Sequence, residues 1–184
     1  MKELVHTTKD GLEITVIDNL FDFNVRSIWM NALYNSHYHF SVSYDSQVTD
    51  FKSTSNLGSL WNAKDWDDFG LARHPNWKYV QPYLKNRKIQ RAWLNLHTGK
   101  ELYRYHADHS NQTAKSILFY PNLKWESEWD GQTIFKSLDL QEVEYCVEYV
   151  PGRIVIFDSR IPHKAIHPNH EAPNFRTIIN AVFY

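Results

Sequence analysis

Apolar and polar residues alternate along much of the second half of the chain. Residues 142–149 alternate without a break, with Val143 and Tyr145 on one side and the single cysteine, Cys146, on the other. This period of two predicts a half-buried strand whose polar face carries Cys146. Four further stretches have strand patterns: residues 91–97, 115–120, 153–157 and 175–184.

The first half of the chain has a different pattern. Residues 12–17 predict a strand, and Asp22 is a candidate N-cap for a helix with a 3.6-residue apolar period from Phe21 to Leu33. We expect irregular surface structure over residues 36–76 and a short helix over about 77–86. The aromatic and acidic residues of this region are expected to lie at the entrance of a site or in a solvated loop: Trp61, Trp66, Asp67, Asp68, Phe69 and Trp77.

Short strands at regular spacing, separated by turn residues, favour a sandwich or jelly roll. We therefore expect a mainly β fold, a double-stranded β-helix of the jelly-roll, cupin-like type, with N-terminal α-helices packed on its outside. The chain has 184 residues, without an internal repeat or a Gly/Ser linker. This length suits one domain, residues 1–184, with a strand-rich core over about 89–184 and N-terminal helical and loop support over about 1–88.

Charge and composition exclude some classes of partner. The formal net charge is -1, which gives no basic footprint for nucleic acid. One cysteine cannot form an internal disulfide, and no apolar run reaches the roughly 20 residues of a membrane span. We therefore expect a cytoplasmic protein that binds neither nucleic acid nor membrane. Its oligomeric state is not legible in the sequence.

One histidine-carboxylate motif offers candidate chemistry. His106 and Asp108 flank Ala107, and residues two apart in an extended segment project to the same side. Two histidines and one carboxylate suit non-haem Fe(II), because three coordination positions stay open. His163 and His167 both follow the strand predicted over 153–157, and geometry alone does not decide which of them is the second histidine.

The second half of the chain resembles the prolyl-hydroxylase-like branch of the 2-oxoglutarate/Fe(II) oxygenases. The resemblance rests on four segments in the order and spacing of that family: LNLHTGKELYRYHAD, ILFYPNLKWESEWDGQTIF, VPGRIVIFDSRIPHKAIHPN and FRTIINAVFY. The segment Asp130-Gly131-Gln132-Thr133 departs from the Gly-Gly-Glu-Thr that is usual in the family, and Ile178 replaces a small residue. Neither position is a metal ligand.

The resemblance implies the metal ligands and the reaction. The ligands would be His106, Asp108 and His163, since Ile-Pro-His-Lys-Ala is closer to the family's ligand segment than the surroundings of His167 are. The cofactors would be Fe(II), 2-oxoglutarate and O2, with ascorbate as a stimulant. The reaction would be hydroxylation of a small-molecule, peptide or protein substrate, with release of succinate and CO2. A carboxylate at Asp108 fills a coordination site and disfavours halogenation.

Arg176 is the candidate for binding the distal carboxylate of 2-oxoglutarate. An arginine that points into a barrel needs an anion, because burying an unpaired charge is costly. A bidentate pair with 2-oxoglutarate supplies one, and an internal salt bridge to Asp or Glu is the structural alternative. Weaker cosubstrate candidates are Asn95, Tyr103 and Tyr120, and the two tyrosines are also ordinary core residues.

Two other functions are compatible with the same fold. A jelly-roll ligand-binding module would keep the fold without turnover, although it has no need for the whole set His106, Asp108, His163 and Arg176. A metal hydrolase would use Zn-activated water on the same ligands, but it gives no reason for Arg176.

Overall fold

Two antiparallel sheets make up most of the fold. The computed structural model describes residues 1–35, 39–44, 53–98, 104–172 and 175–184. Eight strands form the larger sheet, in the order β1-β2-β9-β6-β11-β5-β4-β3, and three form the smaller sheet, in the order β10-β7-β8. The strands are β1 (Lys2–Thr7), β2 (Glu13–Asp18), β3 (His39–Tyr44), β4 (Ser53–Trp61), β5 (Ile89–His97), β6 (Lys115–Phe119), β7 (Thr133–Lys136), β8 (Val143–Val147), β9 (Ile154–Asp158), β10 (His163–Ala165) and β11 (Arg176–Phe183).

The alternation of side chains along the larger sheet creates two cores. On β11, Ile179 and Ala181 face a helical layer, whereas Ile178 faces the smaller sheet. The same division holds on β6, where Phe119 faces the helices and Leu118 faces the smaller sheet. Period-two alternation thus gives each strand one side for each core. The space between the two sheets is where inward-facing polar residues of β5 and β11 meet.

The helices lie on the other face of the larger sheet. They are α1 (Phe23–Tyr34), α2 (Ala63–Phe69) and α3 (Gln81–Leu84), with short 3-10 turns at Leu71–Arg73 and Pro75–Tyr79. A further 3-10 turn, Ser127–Trp129, lies on the side of the smaller sheet, where Trp129 packs against the core between the sheets. Asp22 caps α1 by accepting a hydrogen bond from the Val25 amide at 2.9 Å, which confirms the predicted N-cap. No described helix is long and apolar enough to span a bilayer.

The prediction of irregular surface structure over residues 36–76 is wrong for its described part. Strand β4 pairs with β5, with Trp61 opposite Ala92, so this region extends the sheet. Helix α2 follows at once, because Asn62 and Asp65 form a capping box and Gly70 ends the helix at φ 81°. Tertiary pairing of β4 was not visible in the local pattern.

The aromatic residues of this region are core residues, not an entrance or a solvated loop. Trp61, Trp66 and Trp77 are buried under the helical layer, and the Trp66 ring lies edge-on to Trp77 and to Phe183 of β11. These aromatic groups bury large apolar areas and therefore stabilise the helices on the sheet. Of the predicted entrance, only the acidic side chains of α2 remain at the surface.

Replacing Trp66 with alanine should therefore be costly for stability. Trp66 is 2% exposed, so the substitution leaves a large cavity between α2 and β11. We expect the free energy of unfolding to fall by about 3–5 kcal/mol. Chemical denaturation of the two proteins measures this difference. A loss below about 1 kcal/mol would contradict the core position of Trp66 and would favour the surface position that the sequence pattern predicted.

Candidate metal centre

Backbone pairing brings two distant histidines together. His163 begins β10, and it forms an antiparallel bridge with His106. Each amide donates to the other residue's carbonyl, at 3.1 Å from His106 and 2.9 Å from His163. Directly opposed residues of an antiparallel pair project to the same side. The two imidazole rings accordingly lie 4.5 Å apart, centroid to centroid.

Asp108 completes a group of three ligands. Its amide donates to the carbonyl of Ser159 at 2.9 Å, which holds the segment after His106 against the end of β9. The Asp108 carboxylate lies 3.8 Å from Nε2 of His106 and 3.7 Å from Nε2 of His163. One ligand atom from each residue lies within 4.8 Å of the other two. The predicted metal ligands are therefore adjacent in space.

Hydrogen bonds to backbone carbonyls orient both imidazoles. Nδ1 of His163 lies 3.1 Å from the Ile161 carbonyl, and Nδ1 of His106 lies 3.0 Å from the Arg104 carbonyl. A carbonyl only accepts, so each Nδ1 carries the proton and each Nε2 keeps its lone pair. Both Nε2 atoms face Asp108, the arrangement by which backbone carbonyls orient metal-binding histidines.

The ionisation states also suit a metal. Burial lowers the pKa of His163 to about 4 in spite of the nearby Asp108 carboxylate, so its imidazole is neutral at pH 7. Burial raises the pKa of Asp108, but electrostatic attraction to His163 and His106 in their protonated forms and side-chain hydrogen bonds with Ser116 and Asn180 bring it below its ordinary value. The carboxylate therefore ionises before the His163 imidazole loses its proton. A neutral imidazole and an ionised carboxylate are the forms that bind metal.

One atom of the group shows how well a cation fits. Oδ2 of Asp108 is buried and has no hydrogen-bond partner among the described residues. A buried carboxylate oxygen without a partner is costly, and a cation beside it removes that cost. The His106 side chain is 53% exposed, so the group opens towards solvent on that side. Two imidazoles and one carboxylate with an open side match the donor set of non-haem Fe(II) sites.

A cavity adjoins the group. Its walls come from both sheets and include Asn95, one of the predicted cosubstrate residues. His167 is not one of the three clustered ligands, and it lies near enough to His97 to lower the pKa of that residue. The residues that line the cavity are Asn95, His97, His106, Leu118, Thr133, His163, Ala165, Ile178 and Asn180.

Arg176 is fully buried on the same face of β11 as Ile178 and Asn180. Its Nε donates to the Gly131 carbonyl at 2.5 Å, and its Nη2 donates to Oγ1 of Thr133 at 3.0 Å. The same hydroxyl lies 2.8 Å from the Tyr120 hydroxyl. These bonds fix the guanidinium between the sheets. Arg176 is four residues from Asn180 along an extended strand, a distance of roughly 13 Å.

Two of the weaker candidates have a described position, and one does not. Tyr120 is buried beside Arg176, with its ring centroid 5.7 Å from the guanidinium carbon. Asn95 lines the cavity opposite Ile178 of β11. Tyr103 lies outside the described residues, so its cosubstrate role stays a prediction.

Sequence reasoning missed three residues of this site. His97 is buried against Arg176, and burial followed by the charge of Arg176 places the pKa of His97 well below its usual value. Thr133 links Arg176 to Tyr120, and Asn180 donates to Oδ1 of Asp108 at 3.1 Å. Strand alternation over 175–184 predicts Asn180 and Ile178 on the face of Arg176, with Ile179 on the other. It likewise puts His97 on the face of Asn95, but the pattern assigned none of the three missed residues a role in the site.

Gly131 supports Arg176 through its backbone. It has φ +93°, and a Cβ there would lie 3.3 Å from Cδ of Arg176 and 3.1 Å from a ring carbon of Trp125. We expect Gly131→Ala to cost about 1–3 kcal/mol of stability and to displace Arg176. Gly11→Ala is the matched control, because Gly11 has φ +73° and no atom near its Cβ position. Calorimetry should show weaker 2-oxoglutarate binding for Gly131→Ala alone, and equal binding by both variants would contradict this role.

Comparison with known proteins bears on the fold. Neither a protein-family model nor a curated protein matches the sequence. A prolyl-4-hydroxylase from Pseudomonas putida matches with TM-score 0.61 and 16% identity over 97% of this chain and 92% of that chain. A Trichoplax adhaerens prolyl hydroxylase, in complex with a hypoxia-inducible-factor peptide fragment, gives 0.60 and 18% over 93% and 83%. HygX from Streptomyces hygroscopicus, with nickel and 2-oxoglutarate bound, gives 0.67 and 10% over 96% and 83%. The chain therefore has the fold of the 2-oxoglutarate/Fe(II) oxygenases, including the prolyl-hydroxylase-like branch.

Proposed function

We propose that this protein is an Fe(II)- and 2-oxoglutarate-dependent dioxygenase that hydroxylates its substrate with release of succinate and CO2. The observation that carries the proposal is the group of His106, Asp108 and His163, with ligand atoms within 4.8 Å of one another. The buried and unpartnered Oδ2 of Asp108, within the described part of the chain, supports a bound cation. The fold shared with oxygenases is consistent with it.

The architecture is proposed to be a double-stranded β-helix, or jelly roll, within one domain over residues 1–184. Two antiparallel sheets with a common apolar core between them support this reading. Residues of about 89–184 supply every proposed ligand. Strands β1 to β4 from the N-terminal half extend the larger sheet and so support the core.

The three clustered side chains would hold the metal, and each has a separate part in doing so. His163 and Asp108 are buried and would form the rigid side of the centre, whereas His106 would form its exposed side. Bound Fe(II) would supply the oxidative chemistry in which 2-oxoglutarate, O2 and a substrate C–H give succinate, CO2 and the hydroxylated substrate, with one oxygen atom of O2 in succinate and the other in the new hydroxyl. The apolar residues Leu118 and Ile178 line the cavity and would limit the water around the reacting groups.

Arg176 would bind the distal carboxylate of 2-oxoglutarate. Thr133 and Tyr120 hold its guanidinium ready by the hydrogen bonds already described, so little ordering is needed when the anion binds. His97 next to it is neutral and adds no competing charge. Asn95 lies on the cavity wall and is the second proposed contact for the cosubstrate.

The substrate is proposed to be a small molecule, a peptide or a protein. The peptide held by the Trichoplax adhaerens hydroxylase supports a peptide as one option. The exposed side of His106 is the natural direction of approach, because the other two ligands are buried.

Anaerobic titration tests the proposal without turnover. We expect one Fe(II) per chain, and we expect 2-oxoglutarate to bind measurably only when the metal is present. A metal hydrolase would bind the metal without this dependence on 2-oxoglutarate, and a chain that binds neither is not an oxygenase.

A further inference from the structure

Asn180 lies at the junction of the proposed metal centre and the cavity. It is on β11, 7% exposed, and its side chain lines the cavity together with Asn95 and Ile178. On the neighbouring strands it is opposite Trp93 of β5 and Leu118 of β6. A buried amide loses its hydrogen bonds to water, so each of its polar atoms needs a partner in the protein or in a ligand.

The chemistry of Asp108 decides how this amide is oriented. Nδ2 of Asn180 donates to Oδ1 of Asp108 at 3.1 Å. An ionised carboxylate only accepts, so the amide nitrogen must face Asp108 and the amide oxygen must face away. The orientation of the Asn180 amide thus follows from the chemistry of Asp108.

Each of the two side chains in this contact has one oxygen atom that the contact does not use. At Asp108, Oδ1 is held by Asn180, whereas Oδ2 has no partner in the described part of the chain. At Asn180, the amide oxygen is also buried without a partner among the described residues. One unpartnered oxygen is therefore available to a metal and the other to a ligand in the cavity.

The ligand that pairs with the Asn180 oxygen must bring an N–H or an O–H. 2-Oxoglutarate has two carboxylates and a ketone, all of them acceptors at neutral pH, so it cannot be this partner. A substrate amide, amine or hydroxyl can. A water molecule can as well. If water is the partner, the site will bind organic ligands with and without a donor equally well.

We propose that Asn180 has two roles in the proposed oxygenase, on which this inference rests. Its amide nitrogen is a positioning group that makes Oδ2 the metal-binding oxygen of Asp108. Its amide oxygen is a specificity determinant that selects a substrate with a hydrogen-bond donor next to the reacting carbon.

Mn(II) affinity tests the positioning role, with free Mn(II) followed by electron paramagnetic resonance. Asn180→Leu replaces the amide with an apolar group of similar size and so removes both polar ends. Asn180→Ala also removes both ends but leaves empty space, and it serves as the second variant if the leucine variant does not fold. We expect Mn(II) to bind about 10- to 100-fold more weakly to either variant. The control is Ile179→Val, a small loss of packing on the opposite face of the same strand, which should bind Mn(II) like the wild type. Equal affinity in all the proteins would overturn the positioning role.

A pair of small amides tests the specificity role. Acetamide and N,N-dimethylacetamide share the acceptor carbonyl, but only acetamide has N–H donors. With protein saturated in Mn(II) and 2-oxoglutarate, proton relaxation of each probe reports its proximity to the metal. With the wild type, we expect the protons of acetamide to relax several-fold faster than those of dimethylacetamide. With Asn180→Leu, we expect no such difference between the two probes.

The outcomes distinguish failure of the specificity role of Asn180 from failure of the proposed function. A preference for acetamide that persists in Asn180→Leu would reflect size and would overturn the specificity role. Equal relaxation by the wild type would assign the amide oxygen to water and would overturn it too. If the wild type binds no Mn(II), the proposed function itself fails, before either role of Asn180 is reached.

Discussion

We expect His163→Ala to abolish both stoichiometric Fe(II) binding and succinate formation. His163 is buried with its Nε2 facing Asp108, and it belongs to the group of three possible metal ligands found among the described residues. Loss of the bound metal would leave the buried Asp108 carboxylate without its compensating cation, which also costs stability. His106→Ala and Asp108→Ala are expected to lose turnover in the same way. Metal titration and a succinate assay on folded protein measure the effect.

His167→Ala is the matched control for His163→Ala. His167 follows β10 and is partly buried, but it is not among the three clustered ligands. We expect the variant to keep Fe(II) binding and measurable turnover. Loss of metal by His167→Ala with retention by His163→Ala would transfer the ligand role to His167. Half of the wild-type turnover in Asp108→Ala would show that the ligand set is wrong.

Replacement of Arg176 with leucine should weaken 2-oxoglutarate binding by roughly 30- to 1000-fold. A charge-assisted bidentate pair in a desolvated pocket contributes about 2–4 kcal/mol, and each ~1.4 kcal/mol is one decade of affinity. Lysine keeps the charge but loses the planar fork, so Arg176→Lys should fall between the wild type and Arg176→Leu. Calorimetric titration with 2-oxoglutarate in the presence of metal gives all three affinities.

Fe(II) affinity is the internal control for this series. It should be nearly unchanged, because Arg176 is four residues from Asn180 along β11 and is not one of the clustered ligands. Arg176 also bonds to Gly131 and Thr133, so some loss of stability is expected. Normal 2-oxoglutarate binding combined with lower stability would make Arg176 a structural residue and would remove the cosubstrate assignment.

Strand alternation was the part of the fold that the sequence predicted well. The pattern over 175–184 put Arg176 and Ile178 on one face and Ile179 on the other, and the two cores divide β11 in that way. Strand β8 follows its pattern less closely, because its pairing with β7 shifts register between Phe135 and Lys136. Cys146 is nevertheless on the exposed face, as predicted.

Long-range pairing was the part that the sequence did not reveal. Strands β3 and β4 have no clear periodic signal, and they join the larger sheet through long-range pairing of β4 with β5 and of β3 with β4. Strands β1, β7 and β10 are short or polar and were not predicted. Within the site, the motif of His106 and Asp108 was legible because its residues are neighbours, whereas the contact of Asn180 with Asp108 joins two distant segments.

Formation of succinate from 2-oxoglutarate, with Fe(II) and ascorbate under air, tests the central claim most directly. Even without the true substrate, uncoupled turnover should produce succinate in the wild type, and His106→Ala measured beside it should produce none. Wild-type protein that binds Fe(II) and 2-oxoglutarate but forms no succinate above the His106→Ala background would contradict the oxygenase assignment and leave a ligand-binding jelly roll in its place.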